Sequence, residues 1–281
     1  MELISSVQNP KVKAYTQLLT SSKQRKEKGI FVLEGIRLCM DIVRVNSSEA
    51  LSSLSENKLD YTVKQLFFTK SAYEKNEDDI EKLISISEEA FEITEHVAEK
   101  LSDTKNTQGV FLVVGGIDKR GFSNKINVSG KYILLENVQD PANLGAISRT
   151  AEALGITGLM VSGGCDVYSP KALRASMGAL LRLHVIETED VTNTILDANE
   201  KGMKTYASTP CETATDIKCA DFSKGTIVVI GNEANGVTER TMECCKEKIT
   251  IRMAGRAESL NAGAAASIIM WEMVTARNDK S

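Results

Sequence analysis

The second half of the chain repeats one arrangement: a short apolar run, a polar loop, then a helical stretch. The runs are Tyr132–Leu135, Gly158–Val161, Lys204–Ala207, Thr226–Ile230 and Lys248–Ile251. Helical spacing of apolar residues fills the intervals at Ala146–Leu154, Lys171–Leu180, Asn193–Lys201 and Glu239–Cys245, and a last helix spans Ala262–Ala276. Strands that read as continuous apolar runs, rather than alternating ones, are covered on both faces, and helices between them supply the cover. The pattern predicts an α/β domain around a mostly parallel sheet.

The first portion carries shorter elements of both kinds. Helices are expected at Lys11–Ser21, Gly35–Val45 and Asp78–Ile84, with strands at Gly29–Leu33, Gln65–Thr69 and Val110–Val114. The stretch Gly115–Lys131 is glycine-rich and polar and has no apolar period, which marks a boundary. Residues 1–115 are therefore expected to form a smaller α/β domain, 116–130 a linker and 131–281 the second domain. A chain of 281 residues has room for two modest cores.

Composition excludes several classes. No apolar run approaches the roughly 18 residues of a membrane span. The opening MELISSVQNPKVK has no apolar core of a secretory signal. Six cysteines (Cys39, Cys165, Cys211, Cys219, Cys244 and Cys245) are scattered without a CxxC pair, which speaks for reduced thiols in the cytoplasm and against a disulfide framework or a metal centre. With only His96 and His184, a histidine-based triad or metal site has few partners. The net charge of −4 gives no global cationic field for nucleic acid. Basic residues are nevertheless concentrated. Met1–Ile30 has Lys11, Lys13, Lys23, Arg25, Lys26 and Lys28 against Glu2 and Glu27, and Ser169–Val185 has Lys171, Arg174 and Arg182 with no acid. These stretches are either solvated faces or phosphate contacts, whereas the acidic run Glu74–Ala90 reads as a solvated helix face.

Three islands carry the chemistry. The first is LLENVQDPANLGAISRTAEALG (Leu134–Gly155), the second VVIGNEANG ending at Gly236, and the third TIRMAGRAESLNAGAAA ending at Ala266. Each is a strand followed by a loop with polar side chains. In a parallel sheet such loops emerge at one edge and converge on one crevice. They bring Asn143, Arg149, Glu233, Ser259 and Asn261 toward exposed backbone amides, without the glycine fingerprint of dinucleotide or Walker sites. Each residue also has a plainer reading. Asn143 can cap the helix it precedes, Glu233 can complement the dipole of the following helix, Ser259 or Asn261 can cap the alanine-rich helix, and Arg149 can be a surface arginine.

Together, DPANLGAISRTAEALG, IGNEANG and IRMAGRAESLNAGAAA resemble the three signature motifs of the SpoU-class (TrmH-like) RNA 2′-O-ribose methyltransferases of the SPOUT trefoil-knot superfamily. The intervening SPKALRASMGALLRL resembles the family's loop and helix. QNPKVK and FVLEGIRLCMD are similar to the ribosomal-protein-L30-like (L30e-like) substrate-binding domain attached to many members. The resemblance implies a deeply knotted C-terminal domain, a homodimer with its site at the subunit interface, and S-adenosyl-L-methionine as cofactor. It places the adenine against backbone near Gly231, Ile251 and Leu260, with Met253 close by, and assigns functional roles to Asn143, Arg149, Glu233, Ser259 and Asn261. Two positions depart from the family pattern. Arg252 stands where proline is usual, which removes a fixed φ and adds a charge beside the cofactor loop. Ala262-Gly263 replaces the usual Val-Ser.

The reaction so implied is methylation of a ribose 2′-hydroxyl, a poor nucleophile that must lose a proton while attacking in line with the donor's methyl. Arg149 is the family's activating residue. An arginine stays protonated up to about pH 12, so stabilising the developing alkoxide is the easier role than acting as a base. The expected substrate is structured RNA, ribosomal in preference to transfer RNA, with Lys11, Lys13, Lys23, Arg25, Lys26, Lys171 and Arg174 on its backbone. No metal and no membrane are expected. The alternatives are a tRNA 2′-O-methyltransferase, an enzyme using the same cofactor on a base nitrogen, and a non-catalytic RNA-binding assembly factor.

Overall fold

The computed structural model describes residues 1–47, 61–116 and 126–275. They fall into two compact units. Residues up to 116 together with Asp166–Arg182 form the first, and residues 126–165 together with those from Leu183 onward form the second. The expected contiguous division at 116–130 thus assigns Asp166–Arg182 differently from the packing. Of the expected linker, residues 117–125 lie outside the described residues, as does Ala276 of the expected last helix.

The first unit contains β1 (Glu2–Ile4), α1 (Pro10–Thr20), α2 (Ser22–Lys28), β2 (Ile30–Glu34), α3 (Ile36–Ser47), β3 (Thr62–Thr69), α4 (Lys70–Lys75), α5 (Glu77–Ile86), β4 (Ser87–Ile93), α6 (Glu95–Leu101) and β5 (Val110–Gly115). Its strands form one mixed sheet in the order β1-β4-β3-β5-β2. α1 starts where Asn9 accepts the N–H of Lys11 and Pro10 fills the first helical position, a position that needs no amide hydrogen. Its buried face sets the Tyr15 ring edge-on to Phe67 and Phe111, at 6.0 and 5.8 Å. The acidic run Glu74–Ala90 is not one helical face: α5 ends at Ile86 and β4 begins at Ser87. Only Phe91 and Ile93 of β4 are buried, and Glu89 is held by Lys11 at 2.8 Å and Gln65 at 2.8 Å. Side-chain partners on neighbouring elements make an acidic strand tolerable.

Next in the chain come β6 (Lys131–Glu136), α7 (Pro141–Ala153), β7 (Gly158–Ser162), α8 (Pro170–Ala175), α9 (Ala179–Arg182), β8 (Val185–Glu187), α10 (Val191–Glu200), β9 (Lys204–Ser208), β10 (Thr215–Asp216), β11 (Thr226–Ile230), α11 (Glu239–Cys244), β12 (Glu247–Thr250) and α12 (Ala262–Thr275). α8 and α9 pack with the first unit. The single helix expected over Lys171–Leu180 is broken between them, because Met177 and Gly178 both adopt left-handed backbone, at φ 49° and 81°. A Cβ on Gly178 would stand 2.1 Å from the Asp41 carboxylate, so this turn needs glycine.

The second unit is a seven-stranded sheet in the order β10-β12-β9-β11-β6-β7-β8, parallel throughout. Every residue of β6 and β11 is buried, as continuous apolar runs require. Leu134, Met160, Ile195, Ile227 and Val229 share one core, each buried side chain contributing about 1.5–3 kcal/mol relative to exposure. α12 packs on α7 and β6. α7 begins at Pro141, ahead of the expected Ala146, because Asp140 caps the N–H of Ala142 and Pro141 occupies the first position. No helix among the described residues is long and apolar enough to cross a membrane.

Candidate functional site

The loops after β6, β11 and β12 leave the same edge of the second unit's sheet and are joined by a directed chain of hydrogen bonds. Glu233, after β11, accepts from the backbone N–H of Gln139 and of Asp140, both at 3.1 Å, and from the Asn143 side-chain amide at 2.9 Å. A carboxylate only accepts, so Asn143 must turn its NH2 toward Glu233 and its carbonyl away. That carbonyl accepts from the Asn261 amide at 2.9 Å. Asn261 is thereby oriented too, and its own carbonyl accepts from the N–H of Gly263 at 2.9 Å and of Ala264 at 3.2 Å. One carboxylate thus sets the direction of two amides and closes on the first turn of α12.

This geometry revises several plainer readings. Asp140, not Asn143, caps α7, and Asn143 is buried in the first turn at 6% exposure. Glu233 braces the entry to α7 and not the helix after its own loop. Asn261, not Ser259, caps α12. Burial pushes the Glu233 carboxyl up, but the bonds from Asn143, Gln139 and Asp140 outweigh it and hold the group below its ordinary value. It is an ionised carboxylate fixed on three sides.

Beside the chain lies a cavity of about 390 Å³. Gly231, Ile251, Met253 and Leu260 line it, together with Glu233 and Ser259. Asn143 and Asn261 are not in the lining, and Arg149 stands exposed on α7, also outside it and with no side-chain partner among the described residues. A Cβ on Gly231 would lie 2.0 Å from the carbonyl carbon of Gly236 and 2.1 Å from the nitrogen of Val237. This glycine lets two stretches of backbone meet, and the Asn232–Gly236 bridge closes the loop at 3.0 and 2.8 Å.

One wall, formed by Ser208 at the end of β9 and by Thr209 and Pro210 after it, belongs to no motif and carried no signal. Arg252 stands outside the lining and binds the loop that follows β9. Its guanidinium donates to the carbonyls of Glu212 at 2.9 Å and Ala214 at 3.2 Å. The arginine that replaces proline therefore restrains its loop by hydrogen bonds to the loop after β9. Glu136, also missed, is buried at the end of β6 and accepts from Thr238 N–H, Thr238 Oγ1 and Thr241 Oγ1 at 2.8, 2.8 and 2.6 Å, which fixes the start of α11. A polar residue closing an apolar strand was the available signal. Among the described residues no group of His, Cys, Asp and Glu could hold a metal ion, and none of the six cysteines is in a disulfide.

The basic residues of the first unit divide. Arg25, expected on RNA backbone, is 3% exposed. It donates to Asp166 at 2.9 and 2.6 Å and to the carbonyls of Leu18 and Leu19, so it is a structural tie and that expectation is corrected. Lys11 is held by Glu89 and sits 4.3 Å from the centre of the Phe91 ring. Arg174 pairs with Asp103 at 2.5 Å. Lys13, Lys26 and Lys171 are exposed, and Lys23 is 82% exposed with Glu27 at 3.8 Å.

Comparisons with known proteins match this two-part architecture. Residues 130–271 match the SpoU rRNA Methylase family and residues 9–112 the MRM3-like substrate binding domain. An uncharacterised tRNA/rRNA methyltransferase of Synechocystis is 30% identical over 96% of this chain and 92% of its own length. A 23S rRNA (uridine-2′-O)-methyltransferase of Streptomyces viridochromogenes is 35% identical over 52% of each chain. The crystal structure of an AdoMet-bound rRNA methyltransferase from Sinorhizobium meliloti superposes with a TM-score of 0.80 at 26% identity, covering 97% of both chains. The fold is accordingly the SPOUT fold that the motifs suggested. With a family match across half of the sequence and a relative alike along nearly all of it, the chain belongs to the SpoU rRNA methylase family.

Proposed function

We propose that this protein transfers a methyl group from S-adenosylmethionine to a ribose 2′-hydroxyl of structured RNA, ribosomal in preference to transfer RNA, as a cytoplasmic homodimer. RNA methylation is the activity of the family to which the chain belongs. The observation that carries the reading is the Glu233–Asn143–Asn261 chain, which braces the loops around the 390 Å³ cavity.

The cavity fits the cofactor. Its volume lies within the roughly 300–1,000 Å³ usual for such ligands. Ile230, Met253 and Leu260 give it apolar wall, and Ser259 and the backbone of Gly231–Gly236 give it polar wall. Glu233, held ionised in the lining, is the charge complement of a sulfonium. When bound, S-adenosylmethionine supplies an electrophilic methyl group. Gly231, Ile251, Met253 and Leu260 hold its adenosine part, and Ser259 lies on the same wall.

The residues of the chain do the remaining work. Asn143 and Asn261 act as positioning residues, because their amides are committed to Glu233, to each other and to α12. Arg149 is uncommitted, and its fixed positive charge would stabilise the oxygen as the 2′-hydroxyl gives its proton to water and bonds the methyl carbon, the S–CH3 bond breaking and its electron pair leaving on the sulfide; one such donor is worth roughly 10²–10³ in rate when removed. Its exposure suits a residue that meets a substrate from solution. Deleting the gene and mapping 2′-O-methyl marks across total RNA tests the reading. One mark should vanish and return on complementation; loss of a base methylation instead would replace ribose by a base nitrogen as the acceptor.

A further inference from the structure

The first unit holds a second, larger cavity of about 840 Å³, which no part of the proposed reaction uses. Four arginines line it, Arg37, Arg44, Arg174 and Arg182, against two carboxylates, Glu34 and Asp41. Leu38 and Leu173 give it apolar floor, and Met177 stands at its edge at 55% exposure.

The carboxylates are occupied in orienting the arginines. Asp41, 7% exposed, takes Arg44 at 3.0 Å and Arg182 at 2.9 Å. The left-handed Met177–Gly178 turn exists at this point, where Asp41 leaves no room for a Cβ on Gly178. Glu34 is consumed by Ser102, Thr104 and the N–H of Asp103 at 2.5, 2.8 and 3.0 Å. Arg174 is set by Asp103 at 2.5 Å and by Glu34, whose carboxylate stands 3.9 Å from its Nη1, too far for a hydrogen bond, so that buried N–H has a charge partner but no acceptor. Arg37 is exposed and has no partner among the described residues. Arg37, Asp41 and Arg44 follow at i, i+4 and i+7, so they share one face of α3, with the two arginines about 10 Å apart along its axis. A buried guanidinium N–H without an acceptor is costly unless a ligand supplies one.

We infer that this cavity takes one unstacked nucleotide of the RNA substrate, its phosphates on Arg37, Arg44 and Arg174 and its base against Leu38, Leu173 and Met177. The inference rests on RNA being the substrate. Its support is complementarity of charge and shape. A surplus of guanidinium groups suits phosphate, and an apolar wall beside them suits a splayed base, the form in which proteins read RNA. An acidic protein segment would use the arginines but not the apolar wall.

The test uses the full chain and dye-labelled single-stranded heptaribonucleotides, read by fluorescence anisotropy across a salt series. Arg37→Ala/Arg44→Ala is the variant; Asp41 keeps Arg182 in it, so the turn retains its tie. Its affinity should fall at least about tenfold and the slope of log affinity against log salt should become shallower by about one to two. S-adenosylmethionine binding by calorimetry should not change. Met177→Asp, on the exposed edge, should weaken binding as well. Equal affinity and slope in variant and wild type would overturn the inference, as would poly-glutamate competing as well as RNA, or no RNA binding by the wild type. Methyl transfer is read separately. RNA binding lost in the variant, with no methyl transfer by the wild type, would refute the proposed reaction and leave this cavity standing. Methyl transfer with an unchanged RNA KM in the variant would refute the cavity alone.

Discussion

The two cavities are built on opposite plans. Beside the 390 Å³ cavity of the second unit, polar side chains are spent on one another: Glu233, Asn143 and Asn261 satisfy each other and the backbone. In the 840 Å³ cavity of the first unit, carboxylates hold arginines in place and guanidinium capacity is left over. The first plan makes a rigid mould for a ligand of fixed shape. The second makes a charged surface that accepts many sequences, because phosphate contacts position a nucleic acid without reading it. In the reaction proposed above, donor and acceptor would ask for these different things.

The largest expected effect breaks the mould. Gly231→Ala must place a Cβ 2.0 Å from the carbonyl carbon of Gly236, where no flexible side chain can yield. Overpacking of this kind costs about 1–3 kcal/mol, and calorimetry should find S-adenosylmethionine binding abolished. Affinity within about twofold of wild type would mean that the loop is not a rigid wall.

Arg149→Ala separates the two plans from catalysis itself. The side chain is exposed and without a partner among the described residues, so melting temperature and donor affinity should hold. Single-turnover methyl transfer should fall by about 10²–10³. Near-wild-type turnover would remove Arg149 from the mechanism.

Asn143→Ala cuts the middle of the hydrogen-bond chain. It leaves an Asn261 donor and one Glu233 acceptor without their partner; both residues are exposed, so water replaces part of what is lost and the cost is about 0.5–1.5 kcal/mol, measurable by urea unfolding. Donor affinity should fall with it while heptaribonucleotide binding stays constant. Parallel loss of both would contradict the separation.

Much of the second unit was legible in the sequence, and the reason is local. β6 and β11 are buried on both faces and read as continuous apolar runs, and a parallel sheet puts their loops at one edge. What escaped depends on partners far along the chain. Arg25 looks like a phosphate contact until Asp166, a carboxylate on a loop 141 residues away, turns it inward. β4 looks like the end of an acidic helix because its stabilising Lys11 and Gln65 lie on other elements. The break at Met177 is hidden because a non-glycine residue adopts a left-handed backbone there. In the site, the convergence of Asn143, Glu233 and Asn261 was legible, but the direction of each amide follows from Glu233 being acceptor-only, which only the assembled loops reveal.

A smaller effect concerns pH. The Glu233 carboxyl lies below its ordinary value, so the folded state binds its proton less readily than the unfolded chain does. Its contribution to stability is therefore complete above the unfolded carboxylate value of about 4.3 and disappears as pH falls through the lower, folded value. The stability gap between wild type and Glu233→Gln should be flat from pH 6 to 8, on the order of the whole neutral range, and close under acid. A gap that widens on acidification would reverse the sign. The smallest expected effect is at Arg252. Its two bonds to backbone carbonyls are at an exposed site, and Arg252→Ala should weaken donor binding by a few-fold, about 0.5–1 kcal/mol.

The most direct measurement of the central claim is methyl transfer by the purified full chain to RNA extracted from cells lacking its gene, followed by nuclease digestion and nucleoside mass spectrometry. A single 2′-O-methylated nucleoside should appear with the wild type and S-adenosylmethionine, and be absent with Arg149→Ala. A base-methylated nucleoside, or no methylated product from a chain that binds the donor, would contradict it.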